Sequence, residues 1–329
     1  MSGHLIDTCG RAITYLRLSV TDRCNLRCTY CQPAGCPITC ASQDEVLSAQ
    51  QWVKLVRVAA SMGIRKVRLT GGEPLVRSDI VSLVRGLASV QGITELALTT
   101  NGLLLDGMAQ DLRGAGLTRV NVSLDSLHRE TYRRITGSDG LDQVMKGIHQ
   151  AEQAGLHPIK INVVVMKGIN DHELVDFARL TKDHPWQVRF IEYMPIGNQE
   201  SDWESYFFPV SEMHRALEPL GVLVPHQAQG SDPARVYQLH GGGGTIGFIS
   251  PVTEHFCSAC NRLRVTSDGK LRLCLLGDTE VDLRPYLMDE VSDEELGAAL
   301  QAALLLKPAG HRLKQQLPHL RRRMSQIGG

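Results

Sequence analysis

Cys24-Asn25-Leu26-Arg27-Cys28-Thr29-Tyr30-Cys31 places three thiols in the spacing C-x3-C-x2-C, directly after an apolar run from Tyr15 to Val20. Three thiolates are one ligand short of what a structural zinc or a closed iron–sulfur cube takes. A cube held this way keeps one iron open to a ligand that is not protein. A zinc knuckle is the other reading. It needs a fourth ligand, and the nearest thiols, Cys36 and Cys40, sit in a separate stretch containing Pro and Gly. A second set, Cys257, Cys260 and Cys274, is spaced C-x2-C-x13-C, and a hairpin pattern returns Cys274 towards Cys260. His255 would complete a Cys3His zinc site there. Two three-thiol sets in one chain point instead to two clusters, each with an open iron, the second able to take a substrate nitrogen or oxygen. Cys9, Cys36 and Cys40 are left as free thiols.

These groups need elements to position them. Short β-branched runs at Tyr15–Val20, Arg65–Thr70, Glu95–Thr100, Arg119–Asp125, Ile159–Val165 and Val188–Met194 alternate with helical patterns near 48–62, 78–90, 105–114, 141–154 and 171–182. Repeated strand-then-helix units build a parallel sheet with right-handed crossovers. Six units predict an α/β fold, an incomplete (βα)6 TIM-like barrel, with the first cysteine set at the carboxyl end where such barrels keep their sites. Within the strands, Leu16, Leu18 and Val20 alternate with Arg17 and Ser19, and Val67 and Leu69 with Lys66, Arg68 and Thr70. A strand buried on both faces is apolar throughout. The half-polar pattern therefore predicts a ligand-filled lumen. Arg17, Lys66, Arg68, Lys160 and Arg189 share its side. Clustered buried cations repel one another and lose hydration, which a triphosphate relieves, and arginine forks suit phosphate. Gly71 and Gly72, after the second strand, remove side chains where a ligand must approach backbone closely.

After about residue 200 the pattern changes to an α+β extension: a helix at Val210–Leu220 with Ser211 near its start, strands at Val236–Leu239 and Thr245–Ser250, a hairpin from Asn261 to Leu275, and a helix at Asp293–Leu306. The expected division is a partial barrel over 1–200 and a C-terminal domain over 201–329 carrying the second iron–sulfur site. Gly241-Gly242-Gly243-Gly244 lacks the following Lys-Ser/Thr of a phosphate loop and reads as a turn. Thirty-five basic residues balance thirty-five acidic ones, which argues against nucleic acid as a partner. The absence of a long apolar run and of a leader pattern argues against a membrane and for a cytoplasmic, thiol-reducing location.

The first cysteine motif followed by Gly71-Gly72-Glu73-Pro74 resembles the radical S-adenosylmethionine (SAM) superfamily. Leu18-Ser19-Val20-Thr21-Asp22-Arg23-Cys24-Asn25, Gly247-Phe248-Ile249-Ser250-Pro251-Val252 and Cys257-Ser258-Ala259-Cys260-Asn261-Arg262-Leu263-Arg264 resemble the molybdenum cofactor biosynthesis protein A (MoaA) family, the GTP 3′,8-cyclases. The similarity runs from about residue 10 to the terminal Gly328-Gly329. Gln32 departs from the Met that commonly follows the third cysteine, away from the ligand set.

The resemblance implies two [4Fe–4S] clusters, with SAM on the first beside Tyr30, Gly72, Ser123 and Met194. It implies GTP contacts from Arg17, Arg68, Thr99, Lys160, Arg262 and Arg264; strand parity adds Lys66 and Arg189. A 5′-deoxyadenosyl radical would take the C3′ hydrogen of GTP, the ribose radical would attack C8, and the second cluster would hold the base near N1. Arg262, Arg264 and the Gly328-Gly329 tail are implied at the catalytic stage. A homodimer, a one-electron reductant such as flavodoxin or ferredoxin, and delivery of product to cyclic pyranopterin monophosphate synthase are further implications. Two other classes stay open on the residues: a radical SAM peptide maturase with an auxiliary cluster, and a zinc-stabilised nucleotide-binding protein.

Overall fold

Alternation along the strands becomes two faces of one sheet. The structure, a computed structural model, describes residues 4–31, 45–196, 203–226, 233–311 and 322–328. Cys36, Cys40 and Gly329 lie outside them. Strands β1 (Tyr15–Ser19), β2 (Lys66–Thr70), β3 (Glu95–Thr100), β4 (Arg119–Ser123), β5 (Lys160–Val165) and β6 (Gln187–Glu192) pair in parallel in chain order. Helices Ala49–Ser61, Ile80–Ala88, Ala109–Gly114, Leu141–Gln153 and Leu174–Asp183 make the crossovers. The first begins on a capping box, in which Ser48 Oγ accepts from Gln51 N–H and Gln51 Oε1 accepts from Ser48 N–H, satisfying donors a helix start otherwise leaves open. Its apolar row of Trp52, Leu55, Val56 and Ala59 joins the core under the sheet.

Leu16, Leu18, Val67, Leu69, Leu96, Leu98, Val120, Val122, Ile161, Val163, Val188 and Phe190 form the helix-facing side of that core. Tyr15, Arg17, Arg68, Asn121, Lys160 and Arg189 occupy the opposite side, as the parity argument expects. One helix, Arg129–Thr136, was not expected. Its buried positions are only Tyr132, Ile135 and Thr136 in a charged segment, too few to show a helical period. Gly137, at φ 72°, caps it in the left-handed conformation.

The residues after 200 do not build a sheet of their own. Strands β7 (Leu223–His226), β8 (Arg235–Leu239), β9 (Thr245–Ile249), β10 (Arg262–Val265), β11 (Lys270–Arg272) and β12 (Glu280–Asp282) extend the first sheet at both edges. β9 runs parallel to β6 and β10 parallel to β1. The sheet has twelve strands in the order β12-β11-β10-β1-β2-β3-β4-β5-β6-β9-β8-β7. The α/β class and the open, barrel-like parallel wall are as expected, with the extension built into that wall. Helix Val210–Leu217 starts at Pro209, so Ser211 lies inside it and does not cap it. Helix Asp293–Leu304 starts on a Ser292/Glu295 capping box and packs on Ala49–Ser61.

Candidate active site

Parallel register sets cations side by side. Arg17 on β1 stands opposite Arg68 on β2 and Arg264 on β10. Tyr15, on the same side of β1, stands opposite Lys66 and Arg262. Neighbouring strands lie about 4.8 Å apart, so Arg264, Arg17 and Arg68 form one row. They line a cavity of 780 Å³ together with Lys66, Arg119, Lys160, Arg189 and Arg262, a volume within the usual range for a small-molecule site. Gly247 lies opposite Arg189, and a Cβ there would come within 3.3 Å of Arg189 Cγ.

Burial, followed by Arg264 and other neighbouring arginines, holds Arg17 well below the usual guanidinium range. Burial also pushes Arg68 and Arg264 down to about 10, with nearby arginines adding to the effect. At about 10, Arg68 and Arg264 stay protonated at neutral pH. Tyr15 lies under two guanidiniums, 5.3 Å from Arg68 and 5.7 Å from Arg262. Burial acts upward on its phenol, but Arg68, Arg17, Arg262 and Arg119 outweigh it and hold the group low. Glu95 answers only part of this charge, pairing with Arg119 and, at 3.4 Å, with Lys66. Arg68 Nε–H, Arg264 Nε–H, Tyr15 Oη and Thr99 Oγ1 make no hydrogen bond among the described residues. A buried donor left so costs about 1–3 kcal/mol, which a ligand rich in anionic oxygens would offset. Thr99 stands opposite Asn121, next to the cavity wall rather than on it.

Cys257, Cys260 and Cys274 line the same cavity. A 3-10 turn carries the first two, with Cys260 N–H donating to Cys257 O at 3.1 Å. The β10–β11 hairpin, turning at Gly269 with φ 82°, returns the third. Lys307 is buried behind them. Its Nζ donates to Arg262 O at 3.0 Å and Leu273 O at 2.6 Å and lies 4.0 Å from Cys260 Sγ. Arg11, paired with Asp7 at 2.6 Å, ties Cys257 O to Pro308 O and Ala309 O. His255 Nδ1 lies 3.1 Å from Pro251 O, and its ring packs edge-on against His311.

Cys24, Cys28 and Cys31 occupy the loop after β1, at the carboxyl end of the sheet. Leu26 N–H donates to Cys24 Sγ at 3.4 Å and Cys31 N–H to Cys28 O at 3.0 Å. Burial pushes all three thiols up, Cys28 well above the usual range and Cys31 to about 12. Ionising them together requires a metal's positive charge. In neither set do all three sulfurs lie mutually within 4.8 Å. A single zinc at about 2.3 Å from each needs about 3.8 Å between them.

The glycine pair also admits the protein's own backbone. A Cβ on Gly71 would lie 2.2 Å from Thr21 O, and one on Gly72 2.2 Å from Arg23 O. The close approach is made by the cysteine loop's own backbone, which accepts from Gly72 N–H at 2.8 Å and Glu73 N–H at 2.7 Å. Glu73 in turn accepts from Leu75 N–H, Thr100 Oγ1 and Asn101 N–H, and burial pushes its carboxyl up to about 7. The motif thus ties together the loops after β1, β2 and β3. Tyr30 Oη donates to Asp125 Oδ2 at 2.6 Å; burial pushes Asp125 up to about 6. Ser123 ends β4, half-buried, on the same rim.

The carboxyl-terminal segment touches both sites. Arg322 pairs with Asp268 at 2.8 Å and Glu280 at 2.7 Å, on the hairpin side. The Ser325 backbone acts downward on the Cys31 thiol, against the larger effect of burial. Ile327 packs with Met194, Leu275 and Leu276, all three on the cavity wall. Gly328 has φ 66°, and a Cβ there would lie 2.4 Å from Thr70 Cγ2. Cys24, Cys28 and Cys31 do not line the cavity themselves.

Sequence reasoning missed Tyr15, Arg119, Lys307, Arg11 and Arg322. Parity could have found the first two, which share the polar side of their strands. The other three act at positions with no local pattern.

Two family models cover most of the chain: the Radical SAM superfamily matches residues 18–181, and Molybdenum Cofactor Synthesis C matches residues 186–313. The fold agrees with a crystal structure of Streptococcus suis SuiB bound to S-adenosylmethionine, with a TM-score of 0.62 at 15% identity over 98% of this chain and 77% of that one. Fold, first cysteine motif and family model together define a radical SAM protein. A GTP 3′,8-cyclase of Heliobacterium modesticaldum is 49% identical, covering 99% of this chain and 100% of its own. The corresponding protein of Moorella thermoacetica is 46% identical over 98% of this chain and 99% of its own. The chain belongs to the GTP 3′,8-cyclase family. Among the described residues no helix is long and apolar enough to cross a membrane.

Proposed function

We infer that this chain is a radical SAM GTP 3′,8-cyclase, which converts GTP to (8S)-3′,8-cyclo-7,8-dihydroguanosine 5′-triphosphate in the first step of molybdenum cofactor (molybdopterin) biosynthesis. The observation that carries this reading is the Arg264–Arg17–Arg68 row, with Arg68 and Arg264 buried, in a cavity that also contains the second cysteine set. Arg17, Arg68, Lys160, Lys66 and Arg189, with Thr99 beside them, bind the triphosphate. The mutual repulsion of these cations, and the open donors of Arg68, Arg264 and Thr99, become an asset once the phosphate oxygens are in place.

Cys24, Cys28 and Cys31 hold a [4Fe–4S] cluster, with SAM lying beside Tyr30, Gly72, Ser123 and Met194. That pair supplies reductive cleavage of SAM and a 5′-deoxyadenosyl radical directed at C3′ of GTP. Cys257, Cys260 and Cys274 hold a second [4Fe–4S] cluster and offer the guanine a position, while Lys307 and Arg11 fix the backbone that carries these thiols. Arg262 and Arg264 stand between triphosphate and base, placed to orient the nucleotide and to stabilise charge as the ring closes. The terminal glycine pair acts at the catalytic stage, with Gly328 packed against Thr70 and Ser19 at the ends of β2 and β1.

The division near residue 200 is then one of labour: the first part generates the radical, the second clasps the base. The reading extends to a cytoplasmic homodimer, to a one-electron reductant such as flavodoxin or ferredoxin, and to delivery of the product to cyclic pyranopterin monophosphate synthase. Anaerobic purification tests it. About eight irons per chain, matched by sulfide, and SAM-dependent consumption of GTP are expected. Zinc without iron, or GTP untouched by a fully loaded protein, would overturn it.

A further inference from the structure

A third group of metal-ligating side chains lies away from both cysteine sets. The loop after β4 carries His128 and the loop after β5 carries His172 and Glu173; none of the three lines the cavity. Their ligand atoms all lie within 4.8 Å of one another. His128 Nδ1 is 3.9 Å and His172 Nε2 is 4.0 Å from Glu173 Oε1. Tetrahedral zinc with bonds of about 2.0–2.2 Å sets its donors about 3.4 Å apart. Two exposed imidazoles close that gap by rotating about half an ångström inward.

The carboxylate is already oriented. Glu173 is fully buried. Ser126 Oγ donates to it at 2.8 Å and Leu127 N–H at 2.7 Å. Hydrogen bonds of this kind orient ligand carboxylates in metal sites. Asn170 holds the two loops together: its Nδ2 donates to Asp125 O at 2.7 Å and Val164 O at 2.9 Å. Arg129, beside His128, is engaged by Asp139 and Asp142, so the nearest guanidinium is directed at other carboxylates. Two imidazoles and one carboxylate with an open side form a borderline donor set, which takes Zn²⁺ ahead of Fe²⁺.

We propose that His128, His172 and Glu173 form a divalent transition-metal site of zinc type, distinct from the cysteine sites, that clamps the loop after β4 to the loop after β5. The test is equilibrium dialysis of the iron-loaded protein against buffered Zn²⁺ under anaerobic conditions, with elemental analysis of zinc and iron. One zinc per chain above the unchanged iron content is expected. His128→Ala and His172→Ala, both at exposed positions that the fold tolerates, should each weaken binding at least tenfold. Ser126→Ala, which removes a donor to the carboxylate together with the acceptor of His128 N–H, should weaken it about 10–100-fold. Zinc uptake that is absent, that is the same in both histidine variants, or that is matched by loss of iron would overturn the proposal.

Discussion

Gly328→Ala perturbs the junction of the two sites with a single methyl group. Gly328 sits at φ 66°, and the added Cβ would lie 2.4 Å from Thr70 Cγ2 and 3.4 Å from Ser19 Cβ. The left-handed backbone costs an alanine about 1–2 kcal/mol, and overpacking against the ends of β1 and β2 adds about 1–3 kcal/mol. Burial of Ile327 contributes about 1.5–3 kcal/mol to docking of the segment. The penalty therefore matches or exceeds that anchor, and local detachment of residues 324–328 from the ends of β1 and β2 relieves it while the strands stay paired. Product formation should fall at least tenfold, while iron content and melting temperature stay at the parent values. Hydrogen exchange over residues 324–327 should accelerate in parallel. Gly168→Ala serves as control, because Gly168 also has a positive φ, 71°, but nothing within 4 Å of an added Cβ; it should lower stability slightly and leave turnover alone. Parent-level turnover in Gly328→Ala would refute the reasoning.

Arg17→Ala and Lys160→Ala each remove a charge-assisted contact of about 1.5–3 kcal/mol. Anaerobic calorimetry should show GTP binding weakened roughly 10- to 150-fold with cluster content intact; unchanged affinity in both variants would count against the phosphate cavity. Lys307→Met leaves Arg262 O and Leu273 O without their buried donor. Iron should drop from about eight to about four per chain, with Mössbauer spectra retaining the first cluster; a full complement of eight would dismiss that role. Arg322→Ala frees the segment from Asp268 and Glu280, and its exchange protection should fall about tenfold. Arg322→Lys should not restore it, since one ammonium cannot replace a fork that reaches two carboxylates.

The barrel-like wall was legible because period-two alternation is local. Leu16 against Arg17, and Val67 against Arg68, are readable from a few residues each, and burial then follows parity. The row that defines the site was only partly legible. Arg17 and Arg68 follow from parity, but Arg264 joins them through a parallel pairing of β10 with β1, and such pairing leaves no trace in the intervening sequence. For the same reason β9 and β10 read as parts of an appended unit, whereas they are the outer parallel strands of the same wall. Gly71 and Gly72 were recognised as sites of close approach, but the packing of the Thr21 and Arg23 backbone against them was not. Composition cannot distinguish a ligand from the protein's own chain. Lys307 and Arg322 depend on three-dimensional placement alone: neither belongs to a periodic run, and each finds its partners on the β10–β11 hairpin side.

The central claim is that the two cysteine sites and the cation row act on one GTP molecule. Anaerobic incubation of the iron-loaded protein with SAM, dithionite and GTP carrying deuterium at C3′ measures this most directly. The account predicts deuterium in the recovered 5′-deoxyadenosine; unlabelled 5′-deoxyadenosine, with deuterium retained in the nucleotide, would contradict it.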